Sequence, residues 1–158
     1  MTASRNQTPS EQLAALGITL PQPAKPVAAY VPAVRTGNLL YISGQIPMKD
    51  GALMAKGTIP GAVNEEAAKA CARQCAINGL AAAAAALGSI DRIRRVVRLG
   101  VWVGSEAGFT GQPGIANGAS ELMVDVFGEA GRHARAAVGS VALPLGAPVE
   151  VEFLFEVE

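Results

Sequence analysis

Val149-Glu-Val-Glu-Phe-Leu-Phe-Glu-Val157 alternates without a break. Val149, Val151, Phe153, Phe155 and Val157 fall on one face of a strand, and Glu150, Glu152 and Glu156 on the other. Just before it runs His133-Ala-Arg-Ala-Ala-Val-Gly-Ser-Val-Ala-Leu-Pro144, an apolar small-residue segment with a lone arginine, Arg135, that ends at a Leu-Pro corner. Together they place the closing part of the chain in a sheet with one apolar face. An arginine in a Gly/Ala-lined strand is well placed to bind a planar anion such as a carboxylate. The residues alone favour the plainer reading, an ion pair with one of the glutamates that follow, since such networks are common.

The 158 residues suit one domain with a real hydrophobic core. Half are apolar, 16% are charged, and the formal net charge is zero. That balance argues against a nucleic-acid-binding surface, which usually needs a basic excess. It gives no reason to expect a polybasic membrane patch. No apolar run is long enough to span a bilayer, since Ala81–Leu87 is short. No charged region followed by an apolar core marks a signal peptide, so a cytoplasmic location is expected. Cys71 and Cys75 sit four apart on an expected helix, where a disulfide has poor geometry and buried thiols are the simpler reading. With only these two Cys and one His, a four-ligand Cys/His zinc site within one chain is excluded.

Outward from the closing strand, residues 1–7 read as frayed. Thr8-Pro-Ser-Glu11 reads as a capping box that starts a short helix ending at Gly17. Prolines 21, 23 and 26 make the next segment an extended linker, and residues 1–24 form an extension lying on a domain of residues 25–158. Val27–Arg35 and Leu39–Ser43 read as a hairpin across Thr36-Gly37-Asn38, and Lys49-Asp-Gly51 as a further turn. Asn64 caps the longest helix, with Glu65 and Glu66 at its positive end; it runs to Leu87 and stops at Gly88. Its apolar stripe is expected to hold Ala67, Ala70, Cys71, Cys75, Leu80, Ala82, Ala83 and Leu87. Ser89 and Asp91 can start a single turn. Arg94–Val103 alternates, with Val97, Leu99, Val101 and Val103 opposite Arg94, Arg98 and Trp102. Gly104–Gly114 reads as loop, and Ile115–Phe127 as a second helix with Ile115, Leu122, Met123 and Val126 inward. The order β-β-α-β-α-β-β is an α+β domain with helices on one face of a mostly antiparallel sheet.

Leu40-Tyr-Ile-Ser-Gly-Gln-Ile-Pro47, together with Ala134-Arg135, Leu143-Pro144 and Val149-Glu-Val-Glu152, resembles the two signatures of the reactive intermediate deaminase family. That family is also called RidA, YjgF/YER057c/UK114 or endoribonuclease L-PSP. The likeness covers roughly residues 25–157, with Asn78 in the long helix and Asn117 opening the second one in the family's order. It implies a chorismate-mutase-like fold, a homotrimer whose sheets form a central barrel, and sites in clefts between subunits. It also implies hydrolysis of reactive enamines and imines, such as 2-aminoacrylate, to keto acid and ammonia, with no cofactor and no metal. By the same resemblance Arg135 anchors the substrate carboxylate and Glu150 handles the attacking water. Tyr30 closes the pocket, Ser43 and Gly44 line it, and Asn117 lies near it. Ala137 stands where the family commonly has a cysteine, keeping the backbone carbonyl and N–H but no thiol. Gly139 stands where an acid is common. These departures, a longer Gly104–Gly114 loop and the N-terminal extension mark a divergent branch.

An imine is already electrophilic, so orientation by a bidentate arginine and an acid/base such as Glu150 suffice, the latter typically contributing a factor of roughly 10²–10⁴. No nucleophile is required. His133, the single histidine, reads as a surface or rim residue. The four arginines at 92, 94, 95 and 98 split between two strand faces and read as ion-paired and solvated. The glycine-rich stretch from Gly100 to Gly118 lacks a phosphate-loop pattern. Other readings are a non-catalytic trimer that binds small carboxylates or a partner protein and, with less support, a ribonuclease. The glutamate face of the closing strand, with Trp102 and Leu154 beside it, is expected to be covered by other copies of the chain. Size-exclusion chromatography with light scattering should therefore return a multimer; a monomer overturns this.

Overall fold

The computed structural model describes residues 7–158. The fraying expected of residues 1–7 therefore falls, except at Gln7, outside the described residues. A five-stranded sheet has the order β1-β2-β7-β5-β6, built from β1 (Ala33–Thr36), β2 (Leu39–Gln45), β5 (Ile93–Gly104), β6 (Ala134–Ser140) and β7 (Val149–Val157). All pairs are antiparallel except β5–β6. Helices α1 (Pro9–Ala15), α2 (Glu65–Leu87) and α3 (Gln112–Phe127) complete the α+β unit, with a two-stranded hairpin of β3 (Met48–Lys49) and β4 (Ala52–Leu53).

β7 decides the layering. Its odd-numbered residues are all buried and its even-numbered ones half-exposed, as the alternation requires. Val149, Val151, Phe153 and Phe155 meet β5 residues Val103, Val101, Leu99 and Val96 across the antiparallel pair, and all eight are buried. This apolar face lies under α2 and α3. The opposite face, with Glu150, Glu152, Trp102 and Arg98, carries no helix.

Local chemistry sets the element ends. Thr8 and Glu11 form the reciprocal capping box of α1, Asn64 Oδ1 accepts from Ala67 N at 2.8 Å to cap α2, and Gly88 ends α2 in the left-handed region. Ser10 donates from both its N–H and its hydroxyl to the Asp91 carboxylate, at 2.8 and 2.7 Å, tying α1 to the 3₁₀ turn after α2. Asn78 on α2 donates to the Ile46 and Met48 carbonyls and holds the β3–β4 hairpin against the helix. No described helix is long and apolar enough to cross a membrane.

Four expectations are corrected. β1 begins only at Ala33, because prolines 26 and 32 lack donors and 27–32 has no partner strand; Val27 stands fully exposed. β5 carries bulges between Ile93 and Arg95 and between Val96 and Arg98, so Val96 fills the core and Val97 is only half-buried. On α2 the inward face takes Ala68, Ala72 and Ala76, whereas Ala70 is exposed. α3 starts at Gln112 and not Ile115, since Pro113 in its first turn forfeits no helical hydrogen bond. Asn117 therefore lies in the second turn.

The alanine-rich helices approach unusually closely. A Cβ on Gly118 of α3 would fall 2.0 Å from the Lys69 carbonyl oxygen of α2, whereas one on Gly114 would meet nothing within 4 Å. Gly118→Ala should destabilise the fold by about 1–3 kcal/mol or more. Gly114→Ala should stabilise it by about 0.5–1 kcal/mol. Urea unfolding of both variants checks this contrast, and equal midpoints would refute it.

Candidate functional site

β6 lies at the sheet edge and pairs in parallel with β5, Arg135 beside Leu99, Ala137 beside Val101 and Gly139 beside Val103. Those partners face the helices, so Arg135, Ala137 and Gly139 do too, toward α3. There Arg135 Nη1 donates to Asn117 Oδ1 at 2.8 Å and to Ser120 Oγ at 3.1 Å. Asn117 and Ser120 share a helix face because three residues make nearly one turn. Both Nη1 hydrogens are used by these neutral oxygens. Nε and Nη2, the side-on edge that matches a carboxylate, have no partner among the described residues. No carboxylate among them lies within ion-pair distance of Arg135. Arg135 does not pair with the β7 glutamates. Instead Glu152 pairs with Arg98 at 3.1 Å.

Glu150 sits elsewhere. It pairs with Trp102 of β5 and so points to the helix-free face, where its side chain lies over Gly44 in the β2 bulge. A Cβ on Gly44 would fall 2.1 Å from Glu150 Oε1, so glycine leaves room for the carboxylate where it lies. Burial, and then the Glu152 charge, push the Glu150 carboxyl above its ordinary range. Ser43 Oγ donates to the Val31 carbonyl at 2.7 Å, fixing the segment that carries the exposed Tyr30 against β2. Tyr30, Ser43, Gly44 and Glu150 thus form one group and Arg135, Asn117 and Ala137 another. Strands β2 and β6 are three spacings apart, roughly 14 Å. Two shallow grooves flank these groups: Ser43, Arg98 and Glu152 line one, and Arg95, His133 and Glu156 the other. Neither groove joins Arg135 to Glu150.

Two residues acquire roles that sequence reading did not assign. His133 is half-buried at the rim of one groove and is bonded through both ring nitrogens: its Nε2 lies 2.9 Å from Ser120 Oγ and its Nδ1 2.6 Å from the Gly131 carbonyl. Ser120 was legible only as the i+3 neighbour of Asn117. At Gly139, the place of a missing Cβ lies 3.1 Å from both Ser105 Oγ and Gln112 Nε2. Gln112 donates to Ser105 Oγ and to the Phe109 carbonyl, so this polar pair takes the space of a side chain there. The Cys71 and Cys75 thiols are buried, and burial raises both; the Cys71 and Glu150 charges add to the effect at Cys75.

Helices on one face of a mostly antiparallel sheet, with a glycine-bulged second strand and an arginine on the edge strand, define a chorismate-mutase-like α+β class. The family model described as "YjgF/chorismate mutase-like, putative endoribonuclease" matches residues 10–157. Protein TCP17 of Trypanosoma cruzi is 46% identical over 142 residues, covering 89% of each chain. The Agrobacterium tumefaciens protein Atu1372 is 43% identical, with a TM-score of 0.86 over 95% of this chain and 92% of its own. A 2-iminobutanoate/2-iminopropanoate deaminase of Dermatophagoides farinae is 28% identical over 89% of this chain and 95% of its own. The chain belongs to the YjgF/RidA family.

Because burial raises the folded-state pKa of Glu150, ionising it costs stability. That cost is absent below the ordinary carboxylate range and grows as pH rises through the folded value. Glu150→Gln should therefore melt above wild type near about pH 7, with the gap closing toward about pH 4. Thermal melts across that range test this; a pH-independent gap contradicts it.

Proposed function

We propose that the protein hydrolyses reactive enamines and imines derived from amino acids, of the 2-aminoacrylate type, to 2-oxo acids and ammonia. The observation that carries this reading is Arg135: a half-buried cation with neutral oxygens on one nitrogen and, among the described residues, no carboxylate partner and no partner on its Nε/Nη2 edge. A charge so placed favours a planar anion arriving from outside the chain. Family membership and the deaminase relative support the reaction class.

In this reading the substrate carboxylate docks on the Nε/Nη2 edge, beside Asn117 and the main chain at Ala137. Water adds to the imine carbon, giving a carbinolamine. Its nitrogen takes up a proton and leaves as ammonia while the hydroxyl becomes the 2-oxo group. Glu150 carries one proton from the water to the imine nitrogen as the carbinolamine forms and a second from its hydroxyl to the departing nitrogen, and its raised pKa makes it a stronger base than an ordinary carboxylate. Arg135 and Glu150 lie on opposite sheet faces of one chain. One copy therefore supplies Arg135, and another brings Tyr30, Ser43, Gly44 and Glu150 to the cleft, in a homotrimer of the kind typical of the family. Exposed Val34, Tyr41 and Val138 on or beside the helix-free face give such an assembly apolar surface to bury.

With 2-aminoacrylate generated in situ by a dehydratase, the protein should speed release of 2-oxo acid. Arg135→Ala should lower kcat/KM on the order of 100-fold. Arg135→Lys should recover little, because a lysine cannot form the fork. Absence of acceleration with several amino-acid-derived imines, together with Arg135-dependent 2-oxo acid binding, would instead identify a non-catalytic carboxylate binder.

A further inference from the structure

We infer that His133, acting through the Ser120 hydroxyl, is a positioning residue for the guanidinium of Arg135; this rests on Arg135 being the carboxylate anchor proposed above. The chain of bonds has one polarity. The Gly131 carbonyl can only accept, so at 2.6 Å His133 Nδ1 must carry the proton. Neutral Nε2 is then bare and accepts the Ser120 O–H at 2.9 Å. With its proton spent, the Ser120 oxygen turns its lone pairs to Arg135 Nη1 at 3.1 Å. Asn117 takes the second Nη1 hydrogen at 2.8 Å. Two acceptors on one nitrogen fix the guanidinium plane, and the Nε/Nη2 edge is left as the face presented to a ligand.

The far end of the chain is itself held rigidly. Gly131 is buried, and a Cβ on it would fall 2.1 Å from the Met123 carbonyl oxygen of α3, so the turn carrying the Gly131 carbonyl packs directly on the helix that bears Ser120 and Asn117. Imidazole, hydroxyl and amide are therefore referenced to one helix, while Arg135 comes from the neighbouring strand. Both alternative states of the ring are disfavoured. An Nε2–H tautomer would set the Nδ1 lone pair against the Gly131 oxygen and point a second donor at Ser120. A protonated ring would do the latter and place a second cation near Arg135. Burial holds His133 below its ordinary value, the bond to Gly131 opposes this, and the Arg135 charge adds to the lowering.

The sequence has a single histidine, so its ring nitrogens can be observed without ambiguity. Long-range ¹⁵N–¹H spectra at neutral pH should show the Nδ1–H tautomer; an Nε2–H tautomer overturns the inference. Calorimetry with pyruvate, a simple 2-oxo acid, supplies the second readout. Ser120→Ala and His133→Ala should each weaken binding several-fold to about ten-fold, the loss of one hydrogen bond near a charge. His133→Gln, whose Oε1 can accept from Ser120, should restore binding to within about two-fold of wild type, a rescue that a merely space-filling role would not give. Equal losses in His133→Ala and His133→Gln, or none in Ser120→Ala and His133→Ala while Arg135→Ala loses binding, overturn this inference alone. Pyruvate binding that survives Arg135→Ala overturns the anchor reading, and this inference with it.

Discussion

The antiparallel pairing of β5 with β7 is the constraint on which the remaining structure depends. Val149, Val151 and Phe153 against Val103, Val101 and Leu99 give one apolar face, and α2 and α3 can only settle there. Because side chains alternate, the same register sends Glu150 and Glu152 to the other face with Trp102 and Arg98. β6 then inherits its parity from β5, which turns Arg135 toward α3. A one-residue slip in any of these pairings would exchange the two faces and take the site apart.

The helices must come close enough to cover that face without large side chains. Alanines and Gly79 and Gly118 do this: a Cβ on Gly79 would meet the Phe153 ring at 2.5 Å, and one on Gly118 the backbone of α2. Close packing also fixes α3 relative to β6, and this lets Asn117 and Ser120 hold one nitrogen of Arg135 at 2.8 and 3.1 Å. Neutral acceptors take two of a half-buried cation's hydrogens while leaving its charge uncompensated. In the function proposed above that charge meets an external anion, whereas Arg98 and Glu152 neutralise one another on the open face.

Much of this was legible from residues. The β7 alternation, the Thr8 and Asn64 caps, the Gly88 stop and the Gly37 turn each rest on a local rule, and neighbours a few residues away decide them. The bulges in β5 were not legible, because Val96 and Val97 are equally apolar and only pairing with Phe155 and Leu154 selects between them. Nor was the start of α3, where Gly111, Pro113 and Gly114 read as loop although Gly111 takes the N-cap and the first turn tolerates the other two. The same holds at the candidate site. Arg135 and Asn117 could be singled out from their setting, but the bonds joining Arg135, Ser120, His133 and Gly131 link residues of a helix, a turn and a strand.

By itself the sequence determined which residues prefer water and which prefer the core, where most helix ends fall, and that one arginine lies in an otherwise apolar segment. Those are properties of single residues and short periods. Only the tertiary structure decided that Arg135 and Glu150 face opposite sides of the sheet and that His133 is linked to Arg135 through Ser120. The physical reason is that strand register and helix docking are set by long-range packing. One residue of register is enough to move a side chain from one face to the other.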